Sequence, residues 1–192
     1  MQKIILASQS PRRKQLLEWA EIPFDVLVKN TDENFPNTMA VEEVPVYIAR
    51  NKALAIADLI KNDSAATKPV ILAADTVVVL GDMIIGKPKD REDAVNILLA
   101  LSGKTHRVIT GVVLLHTTGE TAFADITEVS FNPLSRQQIE FYVDKYQPFD
   151  KAGAYAIQEW IGVIGIKHIN GDFYNVMGLP VNRVVQALAA MQ

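Results

Sequence analysis

The chain has 192 residues, 49% of them hydrophobic and 21% charged, the composition of a folded globular protein long enough to bury a sizeable core. A formal net charge of −3 excludes a general electrostatic pull toward nucleic acid or anionic membrane, so a phosphate ligand needs a local concentration of positive charge. With no cysteine, disulfides, thiolate nucleophiles and cysteine-based zinc sites are excluded as well.

The opening MQKIILASQS carries an apolar run too short for a signal peptide, and no stretch approaches the roughly 20 apolar residues of a membrane span; a cytoplasmic protein is expected. Lys3 to Ala7 predicts a buried strand. Pro11 then stands where a first-turn proline would, ahead of a helix to Ala20 whose Leu16, Leu17 and Trp19 recur with helical spacing. Ile22 to Val28 predicts a second strand, followed by the acidic loop Asn30-Thr31-Asp32-Glu33-Asn34. From Ala40 to Lys61, with Pro45 near the true start, Val46, Ile48, Ala49, Ala53, Ile56, Ala57 and Ile60 make a helical apolar face.

Pro69 to Leu80 has the composition of a strand buried on both faces and holds one charged residue, Asp75. After the short apolar run Met83 to Ile85, Asp90 caps a helix over Arg91 to Leu101 that Gly103 ends. Thr105 to His116 and Thr121 to Phe131 read as strands joined by the turn Thr117-Thr118-Gly119. Ser135 caps a further helix with Ile139, Tyr142 and Val143 inward. The glycine-rich stretch that follows is ambiguous until a last helix, Val181 to Ala190. Crossovers mixed with a hairpin predict an α/β fold with a mixed sheet and flanking helices, and one domain over residues 1–192.

Three segments could carry chemistry. In Ser8-Gln9-Ser10-Pro11-Arg12-Arg13-Lys14 a strand ends, two hydroxyls follow and a helix opens with three cations in its first turn. Cations oppose the helix dipole there unless an anion lies between them and the helix end. The two readings are a capped helix with solvated arginines or a phosphate site. In Ala73-Ala74-Asp75-Thr76-Val77 a carboxylate in an apolar strand is costly unless paired, whether with a metal ion, a lysine, an attacking water or backbone amides. Thr76 faces the opposite side of an ideal strand.

In Gly86-Lys87-Pro88-Lys89-Asp90, Lys87 is either a surface lysine or a cation returned toward the Asp75 strand, and Lys52 on the long helix is either a solvated helix cation or a ligand-binding residue. Asp32 and Glu33 are solvated loop charges, or help Asp75 hold a hard divalent cation together with phosphate oxygens. His106, His116 and His168 lack ligand spacing, and His106 reads as structural. The GxSxG nucleophile elbow is absent.

Taken in order, LASQSPRRKQLL, AADTVVVLGDMIIGKPKD, SGKTHRVITGV, DKAGAYAIQ and INGDFYNVMGLP resemble the signature segments of the Maf nucleotide pyrophosphatases, from residue 4 into the last helix. The resemblance implies two lobes around a cleft, in a fold shared with the inosine-triphosphate pyrophosphatases. It implies hydrolysis between the α- and β-phosphates of a nucleoside triphosphate. Asp75 takes the role of catalytic base. Ser8, Arg12 and Arg13 bind phosphate, and Glu33, Lys52 and Lys87 complete the polar site. Mg²⁺ or Mn²⁺ on Glu33 and Asp75 is the implied cofactor, and a homodimer the implied assembly.

Arg12, Thr76 and Gln158 resemble the branch acting on dTTP and UTP, with modified pyrimidine nucleotides as further substrates. A glutamine amide offers a donor and an acceptor that suit the O4 and N3–H edge of uracil or thymine. The chain departs from the branch's usual Gln-Gly-x-Gly in having Gln158-Glu159-Trp160-Ile161-Gly162, where Trp160 either covers the base or packs. The alternative function is a non-catalytic nucleotide-binding regulator of septum formation.

Overall fold

The computed structural model describes residues 3–61 and 69–191. Among them the strands are β1 (Ile4–Leu6), β2 (Phe24–Val26), β3 (Ile71–Leu80), β4 (Met83–Ile85), β5 (Thr105–His116), β6 (Gly119–Phe131) and β7 (Ile166–Asn170). They form a seven-stranded mixed sheet in the order β2-β1-β3-β5-β6-β7, with β4 pairing β3 off that path. β1 is parallel to β2 and β3, whereas β4 is antiparallel to β3 and β7 to β6. The helices are α1 (Pro11–Trp19), α2 (Val44–Ile60), α3 (Arg91–Leu101), α4 (Arg136–Tyr146), α5 (Trp160–Gly165), α6 (Phe173–Met177) and α7 (Val181–Ala189). The expected α/β class with a mixed sheet and flanking helices is what the chain adopts.

The chain divides into two compact units, and β3, β5 and β6 supply residues to both. The first unit takes the described residues up to Asp75, Thr110–Asp125 and those from Gly178 onward. Its core is α2 against the sheet: Ala49, Ala53 and Ile56 pack with Ala7, Ile71, Ala73 and Val113. Fully burying a side chain the size of Ile56 stabilises by about 1.5–3 kcal/mol. The alanines let helix and sheet approach closely, and at the start of α2 the approach is backbone to backbone. A Cβ at Gly111 of β5 would lie 2.2 Å from the Val46 nitrogen, so only glycine fits there.

α1 buries Leu16 and Leu17 but leaves Trp19 59% exposed. At 3.6 residues per turn, Trp19 lies roughly 110° around the helix from the midpoint of Leu16 and Leu17.

The second unit takes Thr76–Ile109 and Ile126–Met177. Here α3 and α4 pack on each other. Asp90 caps α3 by accepting from the Asp93 N–H at 2.9 Å, and Ser135 and Gln138 form a reciprocal capping box on α4. α3 buries Ala94, Val95, Leu98 and Leu101, and α4 buries Ile139, Tyr142 and Val143. His106 sits in an aromatic cluster, edge-on to Phe131 and Tyr155, with Nε2 2.8 Å from the Tyr155 hydroxyl. Burial pushes its imidazole down to about 4, so it is neutral at physiological pH.

The glycine-rich stretch left ambiguous by the sequence resolves into α5, β7 and α6, each of five or six residues.

Candidate active site

β1 ends by handing the Ala7 N–H to the Leu72 carbonyl at 2.8 Å, and the chain leaves the sheet at Ser8. Ser8 is buried, and its Oγ accepts from the Ser10 N–H at 3.2 Å and from Arg13 Nη1 at 3.1 Å. Ser10 caps α1, its Oγ accepting from the Arg13 N–H at 3.4 Å, while Pro11 has no N–H to satisfy. The helix is therefore capped, but Arg13 is not solvated. Its Nε donates to the Gly178 carbonyl at 2.8 Å, and the whole guanidinium is buried. Burial pushes Arg13 below its ordinary value; nearby Asp75 pushes it back up, Arg12 pushes it down, and Glu33 pushes it up. An arginine keeps its proton through such a contest, so a fixed positive charge stands behind the Ser8 turn.

Asp75 lies on β3 between the residues that pair with β1 (Ile71 and Leu72) and those that pair with β4 (Val78 to Leu80). Its side chain is 14% exposed and Oδ1 accepts from Lys52 Nζ at 2.7 Å. Lys52 projects from α2 with 18% exposure and meets Glu33 Oε1 at the same 2.7 Å. Glu33 belongs to a loop that Asp32 shapes, its carboxylate accepting from the Asn34 N–H at 3.0 Å and from Asn34 Nδ2 at 2.8 Å. With 52% exposure, Glu33 is the solvent-facing member of the three.

The first unit thus brings together Ser8, Arg13, Glu33, Lys52 and Asp75, with Arg12 at the start of the same helix as Arg13. Two carboxylates converge on one ammonium beside a buried guanidinium. Such a donor set fits a hard divalent cation, which takes one or two carboxylates and fills its remaining positions with phosphate oxygens and water. Among the described residues no group of three or more His, Asp and Glu side chains gathers as a metal cage.

The remaining sequence-predicted residues belong to the second unit, each on its own element. Thr76 is half-buried on β3, directly after Asp75. Lys87 is exposed on the loop leaving β4, which is held by the Gly153 N–H on the Gly86 carbonyl at 3.1 Å and by the Lys89 N–H on Asp93 Oδ2 at 2.9 Å. Gln158 is exposed at the tip of a tight turn in which the Glu159 N–H donates to the Ala156 carbonyl at 3.1 Å. Trp160 packs edge-on against Phe141 of α4, centroids 4.9 Å apart.

A polar cluster that sequence reasoning missed lies against the Gln158 turn. The Tyr142 hydroxyl donates to Glu159 Oε2, and Lys151 Nζ stands 3.6 Å from Glu159 Oε1. Tyr142 read only as an inward apolar residue of α4; its hydroxyl acquires a role through a turn many residues away.

Fold and site together define an α/β protein in which a strand-to-helix turn with a buried arginine adjoins two carboxylates joined by one lysine. In fold it is similar to the Ham1 protein of Staphylococcus aureus, with a TM-score of 0.54 over 100% of both chains at 15% identity. A family model for Maf-like proteins matches residues 3–191, and the chain belongs to the Maf family. It is 50% identical over 98% of its length to the dTTP/UTP pyrophosphatase of Cytophaga hutchinsonii, covering 84% of that protein. It is 46% identical to the dTTP/UTP pyrophosphatases of Phocaeicola vulgatus and Bacteroides thetaiotaomicron, over 97% and 95% of this chain and 94% and 92% of theirs. No helix among the described residues is long and apolar enough to cross a membrane.

Proposed function

We propose that this chain hydrolyses dTTP and UTP between the α- and β-phosphates, releasing the nucleoside monophosphate and pyrophosphate. The observation that carries the reading is Asp75: a mostly covered carboxylate held by Lys52, beside Glu33 and the buried Arg13, in a chain whose relatives bear that activity in their names.

In this reading a water oxygen attacks the α-phosphorus while the bond from that phosphorus to the bridging oxygen breaks. The bridging oxygen leaves with the electron pair as part of pyrophosphate, and Asp75 orients the water and accepts its proton. Ser8 and the Arg12–Arg13 pair receive the phosphate chain, and Lys52 and Lys87 neutralise charge that builds on the leaving group. Phosphoryl transfer asks a protein mainly for positioning and charge stabilisation, which these residues supply. Glu33 and Asp75 would hold Mg²⁺ or Mn²⁺, which when bound supplies charge neutralisation at the phosphate oxygens. Thr76 and Gln158 face the pyrimidine nucleotide, and the working form is a cytoplasmic homodimer.

The test is pyrophosphate release from dTTP and UTP by wild type and Asp75→Asn in Mg²⁺ or Mn²⁺. A loss of at least about 1,000-fold in kcat is expected, since the amide cannot take the proton. Undiminished turnover in the variant would sink the assignment. Tight dTTP binding without monophosphate formation, in either metal, would favour a non-catalytic regulator instead.

A further inference from the structure

Gln158 is an exposed side chain on a four-residue turn, Ala156-Ile157-Gln158-Glu159. An exposed glutamine has three rotatable bonds and by itself selects nothing. Discrimination between nucleobases requires that the backbone presenting the amide be fixed. Three features fix it here.

Tyr142 of α4 is fully buried, and its hydroxyl touches both ends of the turn, accepting the Ala156 N–H at 3.2 Å and donating to the Glu159 carboxylate. Lys151, itself 10% exposed, balances that carboxylate at 3.6 Å and donates to Asp150 Oδ1 at 2.8 Å. From the other side α5 presses on the turn so closely that a Cβ at Gly162 would fall 1.8 Å from the Ile157 carbonyl oxygen. The turn is therefore stapled across its mouth by one phenol and one carboxylate and backed by a helix with no side chain at the contact. Burial of these polar groups is tolerable only because each finds a partner.

We propose that Glu159 and Tyr142 are positioning residues for nucleobase selection: their hydrogen bond holds the turn in the one conformation that aims the Gln158 amide at the O4 and N3–H edge of a uracil or thymine base. The inference rests on the dTTP/UTP reading above and deepens it. Cytosine reverses that edge, with an amino donor at C4 and an acceptor at N3; a fixed turn limits which rotamers of Gln158 reach the base, and a loosened turn lets the amide turn over to meet cytosine as well. Because the base is remote from the reacting phosphorus, loosening the turn weakens binding of substrate and transition state alike. It therefore moves KM rather than kcat.

The experiment measures kcat and KM for dTTP, UTP and CTP, with thermal midpoints alongside, for wild type, Glu159→Ala, Glu159→Gln, Tyr142→Phe and Gln158→Ala. Glu159→Ala and Tyr142→Phe are expected to raise KM for dTTP by about tenfold with kcat within about twofold, and to lower the dTTP-over-CTP ratio of kcat/KM by about the same tenfold. Glu159→Gln still offers an acceptor to Tyr142 and restores the ratio to within about twofold of wild type.

An unchanged ratio in Glu159→Ala and Tyr142→Phe, with Gln158→Ala lowering it, overturns the positioning role and leaves the base reading intact. A wild-type ratio in Gln158→Ala overturns the base reading and the inference with it. Should Tyr142→Phe not fold, the two Glu159 variants decide, because the Glu159 side chain is partly exposed. A lowered thermal midpoint with an unmoved ratio marks a merely structural residue and overturns the proposal.

Discussion

Lys52 joins a loop carboxylate to a strand carboxylate, and that single nitrogen organises the first unit's polar site. Replacing it with methionine keeps a stem of similar size against the sheet and removes the charge between Glu33 and Asp75. The expected result is a loss of about 100-fold or more in kcat/KM for dTTP, the magnitude of removing one pre-placed charge-stabilising donor. Lys52→Arg should recover only part of it, since the longer planar guanidinium does not reproduce the compact ammonium that stands 2.7 Å from both oxygens. A steady-state pyrophosphate assay checks both, and a Lys52→Met enzyme within about threefold of wild type would contradict this role for the ammonium.

The residue scale also shows what a sequence can reveal. Asp75 was conspicuous because a lone charge in an apolar strand conflicts with its surroundings, and such conflicts are local. Lys52 was not conspicuous, because a lysine on a helix is ordinarily solvated. Its partner is known only once α2 is placed on the sheet. Arg13 is a similar case: the carbonyl it donates to belongs to Gly178, at the far end of the chain.

At the scale of elements, what was legible depended on length. α2 and β3 are long enough for periodicity and composition to speak, and both were anticipated with nearly their observed bounds. α5, β7 and α6 are five or six residues each, too short to complete two helical turns or a clear alternation. β7 buries none of its residues fully, so no apolar face marked it as a strand. It exists because β6 offers it an antiparallel partner from Glu128 to Phe131, with a register shift between Ser130 and Phe131.

Contacts between elements also fix where Lys52 can reach, and Gly111 is the test of that. Gly111→Ala drives a methyl into the backbone of Pro45 and Val46, which cannot yield as a flexible side chain would. Overpacking against backbone is expected to destabilise by about 3 kcal/mol or more, read as a lower urea midpoint. Because α2 carries Lys52, activity should fall with it. The result to be checked is a surviving folded fraction whose kcat/KM is itself reduced, rather than a smaller amount of normal enzyme.

For the whole molecule, the class of fold is readable from the alternation of elements, but the points along the chain where it divides are not. β3, β5 and β6 each pass from one compact unit into the other, so at those crossings no linker marks a boundary. Each unit nevertheless carries its own reporter, Trp19 in the first and Trp160 in the second. In a Trp19→Phe background the fluorescence of Trp160, packed on Phe141, follows the second unit. That unit buries His106, whose imidazole is held down to about 4, whereas in an unfolded chain it titrates near the ordinary 6.5.

Between those values the unfolded chain takes up a proton that the folded unit refuses. Stability is therefore full above about pH 6.5 and declines as pH falls toward 4, by about 3 kcal/mol over the window. Carboxylates add their own acid dependence, mostly below about pH 5. The region from pH 6.5 to 5 therefore isolates the histidine. There the urea midpoint reported by Trp160 should fall in the otherwise wild-type protein and stay flat in His106→Phe, which keeps a ring in the aromatic cluster. Equal slopes in the two proteins would show that His106 does not set the acid sensitivity of this unit.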